Sequence, residues 1–353
     1  MIQKNKIKIL YTIPNFKTAG SQYVLLSLFK KINKTKFDPY VCVEKYPELI
    51  PEVIPLDKRI VFEYTGKVKI DIIRFRKAIK SNNIDIIHSW DYKSNYIEPL
   101  VSRFSGVKYL YTKKNNALSK RWFLKSIFSN HIAYNNPEMK KRFFNISFFQ
   151  NKISFIPHGV DTDIFKPLKK TSRNTFNIGC IGNINTNKNQ LFLVKSLLSL
   201  PENVVLHLYG NEEKEYRKFL NEYIEKHTLE NRVQFHGFIE NKRVPKALNT
   251  LDLFILPSLN EGLPVSIIEA MACGVPVLSS DSGGGAKYLL NSEYIFDLKN
   301  KDELIEKIVN IYYLQQDERN KILKQGVKQI KENHSIKGEV QAYENIYKRI
   351  ISS

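Results

Sequence analysis

Short apolar runs alternate along the chain with stretches in which apolar positions recur every three or four residues. The short runs predict strands at residues 6–13, 39–43, 60–64, 84–88, 109–112 and 151–157. The first helical stretch, residues 22–32, carries Val24, Leu25, Leu28 and Phe29 at helical spacing. A second series of strands opens at 176–182 and continues at 204–209, 233–236, 251–256 and 275–279. Helices over 188–200 and 214–227 lie between them. The last helix, 338–351, places Val340, Tyr343, Ile346, Tyr347 and Ile350 on one face. Such alternation predicts an α/β protein with parallel sheets. Two successive series predict two doubly wound Rossmann-like domains facing a central cleft, with the ligand beyond the carboxyl ends of the strands.

Composition narrows this picture. A chain of 353 residues supplies about two domains at ~150 residues each. The three cysteines, Cys42, Cys180 and Cys273, are far apart with no paired spacing. This argues against a disulfide framework or zinc site and fits a reducing cytosol. No window approaches the ~18 apolar residues of a membrane span. The first apolar run contains Lys8 and stops at Pro14, so it reads as a strand rather than a secretory signal.

The net charge of +20 belongs mostly to the first half: residues 1–165 hold 29 Lys/Arg against 13 Asp/Glu. Within 101–150 a single acid, Glu138, faces 10 basic residues, interleaved with Trp122, Phe123, Phe128, Phe143, Phe144, Phe148 and Phe149. Exposed aromatics among cations suit an anionic membrane surface. Nucleic acid is the competing anionic partner, but no nucleic-acid motif accompanies the charge. A lysine-rich background is the plainer reading, since Lys, Asn and Ile are frequent throughout.

The most informative stretch is 251–277. An apolar strand ends in Pro257-Ser258-Leu259-Asn260-Glu261-Gly262, and a helix follows from Pro264, a residue suited to a first turn. Glu269 lies about one turn in, and Gly274 stops the helix. Amides at a helix N-terminus form an anion site. Two carboxylates beside it suit a ligand bearing both phosphate and hydroxyl groups, such as a nucleotide sugar.

The order Pro-Ser, Glu-Gly, then Glu269-Ala270-Met271-Ala272-Cys273-Gly274-Val275-Pro276-Val277 resembles the donor-site signature of retaining glycosyltransferases of family 4, which have the GT-B fold. The segment 156–167, with Asp161-Thr162-Asp163, resembles that family's interdomain connection. This sets aside its likeness to an Asp-x-Asp metal site. The resemblance implies an acceptor-binding domain over 1–166, a nucleotide-sugar domain over 167–337, and a helix, 338–353, crossing back to the first.

The resemblance also assigns roles. Glu261 faces hydroxyls of the transferred sugar and steadies positive charge near C1. The amides of Gly262, Leu263 and Val265 lie by the phosphates or sugar, and Glu269 accepts from the ribose hydroxyls. Gly182, Asn183 and Lys188 resemble the diphosphate loop, with Asn183 where the family usually has Arg. Lys188 is thus the remaining cation, and with Glu261 it is the expected catalytic pair. Gly20, in Thr18-Ala19-Gly20-Ser21-Gln22, resembles a Gly-Gly-x-Glu loop. Phe238 lies on the edge that packs against the base. Lys287 replaces the Glu of a Gly-Gly-x-x-Glu turn.

On the acceptor side stand His88, Trp90 and Asp91, with Trp90 where family members often have a second His. His88 also reads as an ordinary buried strand-end residue. The leaving phosphate can take the acceptor proton, so the resemblance needs no protein base, no metal and no cofactor beyond the donor substrate.

The expected activity is metal-independent, retaining transfer of a hexose or N-acetylhexosamine, most naturally UDP-linked, to a glycan or lipid-linked glycan. The setting would be bacterial surface polysaccharide assembly, in the cytoplasm at the inner membrane face. A catalytically weak nucleotide- or glycan-binding module and a GT-B epimerase are the alternatives.

Overall fold

The computed structural model describes residues 6–16, 20–90, 96–114, 120–169 and 173–353. The chain divides into two compact units, residues 1–158 with 336–353, and residues 159–335. The division falls at 158/159 because the Val160 amide donates to the His334 carbonyl at 2.9 Å, and Val160 bridges Ser335. These contacts tie the connecting segment to the second unit, ahead of the 166/167 boundary expected from sequence.

The first unit is built on seven strands: β1 (Ile7–Ile13), β2 (Phe37–Val43), β3 (Arg59–Val61), β4 (Ile86–Ser89), β5 (Lys108–Lys113), β6 (His131–Tyr134) and β7 (Ile153–Phe155). All pairs are parallel, in the order β3-β2-β1-β4-β5-β6-β7. Pro39 sits inside β2, opposite Ile9 of β1. It is tolerated because β3 pairs only with Val41–Val43, so β2 is still an edge at Pro39. The final helix, Ile336–Ser352, belongs to this unit and buries Val340, Tyr343, Ile346, Tyr347 and Ile350. Those are the residues whose helical spacing predicted its inner face.

The second unit has six parallel strands: β8 (Phe176–Ile181), β9 (Val204–Tyr209), β10 (Val233–Phe235), β11 (Leu253–Leu256), β12 (Val277–Ser280) and β13 (Ile295–Phe296), in the order β10-β9-β8-β11-β12-β13. Its central strands are buried on both faces, the pattern of a parallel sheet covered by helices. In each unit the strand order reverses direction once, between β1 and β4 and between β8 and β11. The loops leaving those strands open the crevice in which such sheets hold ligands.

Of the seven aromatics named for the basic stretch, Trp122, Phe143, Phe144 and Phe149 are buried and Phe123 and Phe148 are clearly exposed, as is Phe104 in the same stretch. The expected exposed aromatics thus reduce to two, because four of the rings complete the core around Tyr134. Among the described residues no helix is long and apolar enough to cross a membrane.

Candidate functional site

Of the residues expected on the donor side, all but Gly20 belong to the second unit, on loops and a helix that follow β8, β10 and β11. Gly182 follows β8, and a Cβ there would stand 3.2 Å from Cε of Lys188. The missing side chain lets Lys188 lie across the strand end. Its ammonium pairs with the Glu261 carboxylate, so loops 73 positions apart meet over the reversal point. Asn185 fixes the turn by accepting from the Lys188 amide through its Oδ1 at 3.0 Å. The Asn187 carbonyl accepts from the Leu259 amide at 2.7 Å, and Asn187 Nδ2 donates to the Asn260 carbonyl at 3.1 Å. Asn183, where a family member would carry Arg, offers its carbonyl to Gln190 Nε2 at 3.0 Å.

The Glu261 loop is held from its other side by Ser280 and by the turn that resembles Gly-Gly-x-x-Glu, none of whose residues the sequence placed in the site. The Glu261 amide donates to the Ser282 carbonyl at 2.6 Å. Gly285 opens the short helix Gly285–Leu289 so close to Gly262 that a Cβ would lie 1.9 Å from the Gly262 carbonyl oxygen. Ser280 Oγ donates to the Ser258 carbonyl at 2.6 Å. The hydroxyls of Ser258 and Ser282 are buried and have no hydrogen-bond partner among the described residues. The run Ser279-Ser280-Asp281-Ser282-Gly283-Gly284-Gly285 was the available signal, since small residues after a strand allow another loop to approach. Lys287, in place of the family's Glu, pairs with Asp281 at 2.7 Å.

Pro264 occupies the cap position of the helix Val265–Ala272 with an extended backbone and supplies no side-chain cap. It therefore stands one position outside the first turn, and the leading N–H groups have no intrahelical partner. Leu263 turns its side chain into the core, leaving only its backbone to face a ligand. Val265 also packs partly against the core. Glu269 sits on the fifth residue of this helix, partly exposed. Burial pushes its carboxyl up to about 8. Among the described residues no side chain forms an ion pair with it.

Beside this crevice is a cleft of about 350 Å³ lined by Tyr209, His236, Phe238, Ile239, Glu240 and Arg243. The His236 ring stacks on Tyr209 with centroids 4.2 Å apart, and Phe238 is 54% exposed, a large apolar face open to a planar ligand.

In the first unit, Gly20 caps the helix Ser21–Lys31 at φ 77°, a backbone state that favours glycine, while Thr18 and Ala19 lie outside the described residues. His88 and Trp90 have no exposed surface. His88 uses both ring nitrogens, Nδ1 with the Tyr347 hydroxyl at 2.7 Å and Nε2 with Thr112 Oγ1 at 2.8 Å. Burial, with Lys114 and Lys125 nearby, holds its pKa well below the usual value, so the ring is neutral. Trp90 is covered by Lys114, whose ammonium lies 4.7 Å from the ring centre. Asp91 lies outside the described residues. Asp161, read against a metal role, accepts from the Asp163 amide at 3.2 Å in a local turn.

Residues 161–329 match the family Glycosyl transferases group 1, and residues 18–164 match Glycosyltransferase Family 4. The chain is 25% identical, over 87% of its length and 88% of the relative's, to the UDP-Gal:alpha-D-GlcNAc-diphosphoundecaprenol alpha-1,3-galactosyltransferase of Escherichia coli. It is 26% identical to the capsular polysaccharide biosynthesis glycosyltransferase CapH of Staphylococcus aureus, over 85% of this chain and 88% of the other. Among solved structures, HepE of Anabaena in complex with UDP and glucose superposes with a TM-score of 0.82 at 19% identity, covering 97% of this chain and all of that one. A glycosyltransferase from Rickettsia africae superposes with a TM-score of 0.86 at 20% identity, over 98% and 99%.

Proposed function

The chain is a glycosyltransferase of the family 4 type, a Glycosyltransferase Family 4 domain followed by a group 1 domain on the GT-B fold, and we propose that it is a retaining, metal-independent enzyme. It moves a hexose or N-acetylhexosamine from a UDP-sugar to a lipid-linked glycan in bacterial surface polysaccharide biosynthesis. The observation that carries this reading is the crevice in the second unit. One ammonium, a set of helix-start amides and two carboxylates meet there beside an open aromatic cleft.

Each part matches a part of the donor. The cleft at Tyr209, His236 and Phe238 receives the base. Glu269 accepts from the ribose hydroxyls. The amides of Gly262, Leu263 and Val265, with Gly182 and Lys188, receive the diphosphate. Negative charge grows on the leaving phosphate as the C1–O bond breaks, and preorganised donors there lower the barrier. Glu261 faces the oxocarbenium-like sugar. The acceptor oxygen attacks C1 on the face the phosphate leaves, and the departing phosphate oxygen takes the acceptor proton. No protein base is needed, which is compatible with a fully buried His88.

The acceptor's nature is supported by charge and by the Escherichia coli relative, whose name specifies a diphosphoundecaprenol-linked sugar. Two buried lysines, Lys113 and Lys125, lie at and beside the carboxyl end of β5. Burial, then Lys125 and Arg142, push Lys113 down to about 7. A half-protonated, almost wholly buried lysine adds little charge, so the support for an anionic acceptor is the basic balance of the first half of the chain, 29 Lys/Arg against 13 Asp/Glu in residues 1–165.

The direct test is transfer. Purified protein, UDP-galactose, UDP-glucose and UDP-N-acetylglucosamine are offered separately with GlcNAc-diphospho-lipid in EDTA. An α-linked product from one α-linked donor is the expected result. A β-linked product would refute retention, and free epimer without acceptor would make the protein an epimerase.

A further inference from the structure

Three polar side chains of the second unit form a hydrogen-bonded chain that ends at the open aromatic cleft: Asn177 on β8, His207 on β9 and His236 just after β10. His207 Nε2 lies 3.1 Å from Asn177 Oδ1, and His207 Nδ1 lies 3.0 Å from His236 Nε2. His236 is the member that lines the cleft.

The direction of each bond follows from the buried end. Asn177 is 3% exposed. Its Nδ2 donates to the Thr250 carbonyl at 3.4 Å, and its Oδ1 accepts from the Thr175 hydroxyl at 3.1 Å. A carbonyl cannot donate, so the amide nitrogen belongs on the Thr250 side and the oxygen faces His207. His207 Nε2 therefore carries a proton. Burial, with His236 and Arg173 adding to it and Asp252 opposing, holds the His207 pKa down at about 4, so the neutral ring has no second proton. Its Nδ1 is an acceptor, and His236 Nε2 supplies the hydrogen between the rings. Burial lowers the His236 pKa as well, and this ring is also neutral. Its single proton is committed to His207, which leaves Nδ1 a bare lone pair.

One face of the His236 ring lies on Tyr209, 9° from parallel. Its Nε2 edge is taken by His207. Among the described residues none bonds its Nδ1. The second face and the Nδ1 edge are what this side chain has left to present to the cleft. A bare ring nitrogen accepts a hydrogen bond and repels another lone pair. Uracil carries a hydrogen on N3, whereas cytosine has a lone pair there.

We propose that Asn177 and His207 hold His236 in its Nε2–H tautomer, so that His236 Nδ1 accepts from N3–H of uracil and the cleft favours uridine over cytidine nucleotides. The inference rests on the reading of this cleft as the base site and adds the means of choice between two pyrimidines of equal size. His236 touches the base. His207 and Asn177 act through it as positioning residues.

The test is calorimetric titration of the full chain with UDP and CDP, which share ribose and diphosphate and differ only at the base. The wild type should bind UDP about tenfold more tightly or better, because CDP sets a lone pair against a lone pair in place of a hydrogen bond. His236→Phe keeps a ring on Tyr209, removes both nitrogens and should bring the two affinities within about threefold. His207→Leu leaves His236 in place and frees its tautomer, since nothing then accepts from Nε2. The proton can move to Nδ1 and donate to cytosine N3, so CDP should gain about fivefold while UDP weakens. A purely structural role would weaken both nucleotides together. Long-range proton–nitrogen NMR on histidine-labelled wild type, which depends on no variant folding, should show His236 protonated on Nε2 and bare on Nδ1.

Equal affinity of the wild type for UDP and CDP, an unchanged ratio in both variants, or a proton on His236 Nδ1 would each overturn the proposal. In these cases UDP still binds and the donor site stands. Binding of neither nucleotide by the wild type would remove the donor reading, and this inference with it.

Discussion

Glu269 carries opposed demands in a single side chain. Its carboxyl is pushed up to about 8 by burial, yet only the ionised form accepts from both ribose hydroxyls. The ionised fraction grows about tenfold between pH 7 and pH 9 for such a group. UDP affinity should therefore rise about tenfold over that interval in the wild type and stay flat in Glu269→Gln, measured by calorimetry at fixed salt. Stability runs the other way. The native state holds this proton from the unfolded carboxyl's value of about 4.3 up to about 8, so folding is progressively disfavoured as pH rises through that window. Glu269→Gln should raise the melting temperature at pH 8 and leave it nearly unchanged at pH 4.

At this scale the sequence was most informative where residues are adjacent. Glu261, Gly262 and Glu269 lie in one string whose order was legible. The direct contact of Lys188 with Glu261 and the Ser258 and Ser282 hydroxyls, unpartnered among the described residues, were not, because each depends on loops distant in the chain. His88 illustrates the same limit. Its strand was predictable, but its capture by Tyr347 and Thr112 comes from the last helix and a neighbouring strand.

Apart from Glu269, which stands inside the helix Val265–Ala272, the site is positioned through loop-to-loop contact. The loops after β8, β11 and β12 are joined by Leu259 to Asn187, by Glu261 to Ser282, and by the near approach of Gly285 to Gly262. Gly285→Ala would force its Cβ into the Gly262 carbonyl, which cannot yield without moving the loop. Overpacking of this kind costs about 1–3 kcal/mol, so the variant should melt lower and bind UDP at least tenfold more weakly. Ala at Gly326, where a Cβ would meet only ordinary contacts at 3.9 Å, is the matched control. Strand prediction worked where apolar runs were long, as at Val204–Tyr209, and missed His131–Tyr134 and Ile295–Phe296. The first has a polar His at its head and only four residues. The second has two, and its place comes from pairing with Ser279 and Ser280, which no local pattern encodes.

Across the whole molecule, charge and apolar exposure divide unevenly. The first half carries most of the +20, and Phe123 and Phe148 stand exposed and both pack against the buried Phe149, with the Lys152 ammonium 4.4 Å from the Phe148 ring centre. Cations beside exposed rings favour an anionic bilayer surface, at about 1 kcal/mol per basic residue close to it. Vesicles with 30 mol% (about a third) phosphatidylglycerol should sediment the protein at low salt and release it at high salt. Phe123→Ser with Phe148→Ser should halve the bound fraction, whereas equal binding to neutral vesicles would remove charge from the explanation.

The central claim, that the strand-end crevice of the second unit is a nucleotide-sugar donor site, is tested most directly by calorimetric titration with UDP, GDP and ADP in EDTA, on the wild type and on Lys188→Ala and Glu269→Ala. The account predicts selective binding of UDP without magnesium, weakened at least tenfold in each variant. Absence of binding to all three nucleotides, or undiminished UDP binding in both variants, would contradict it.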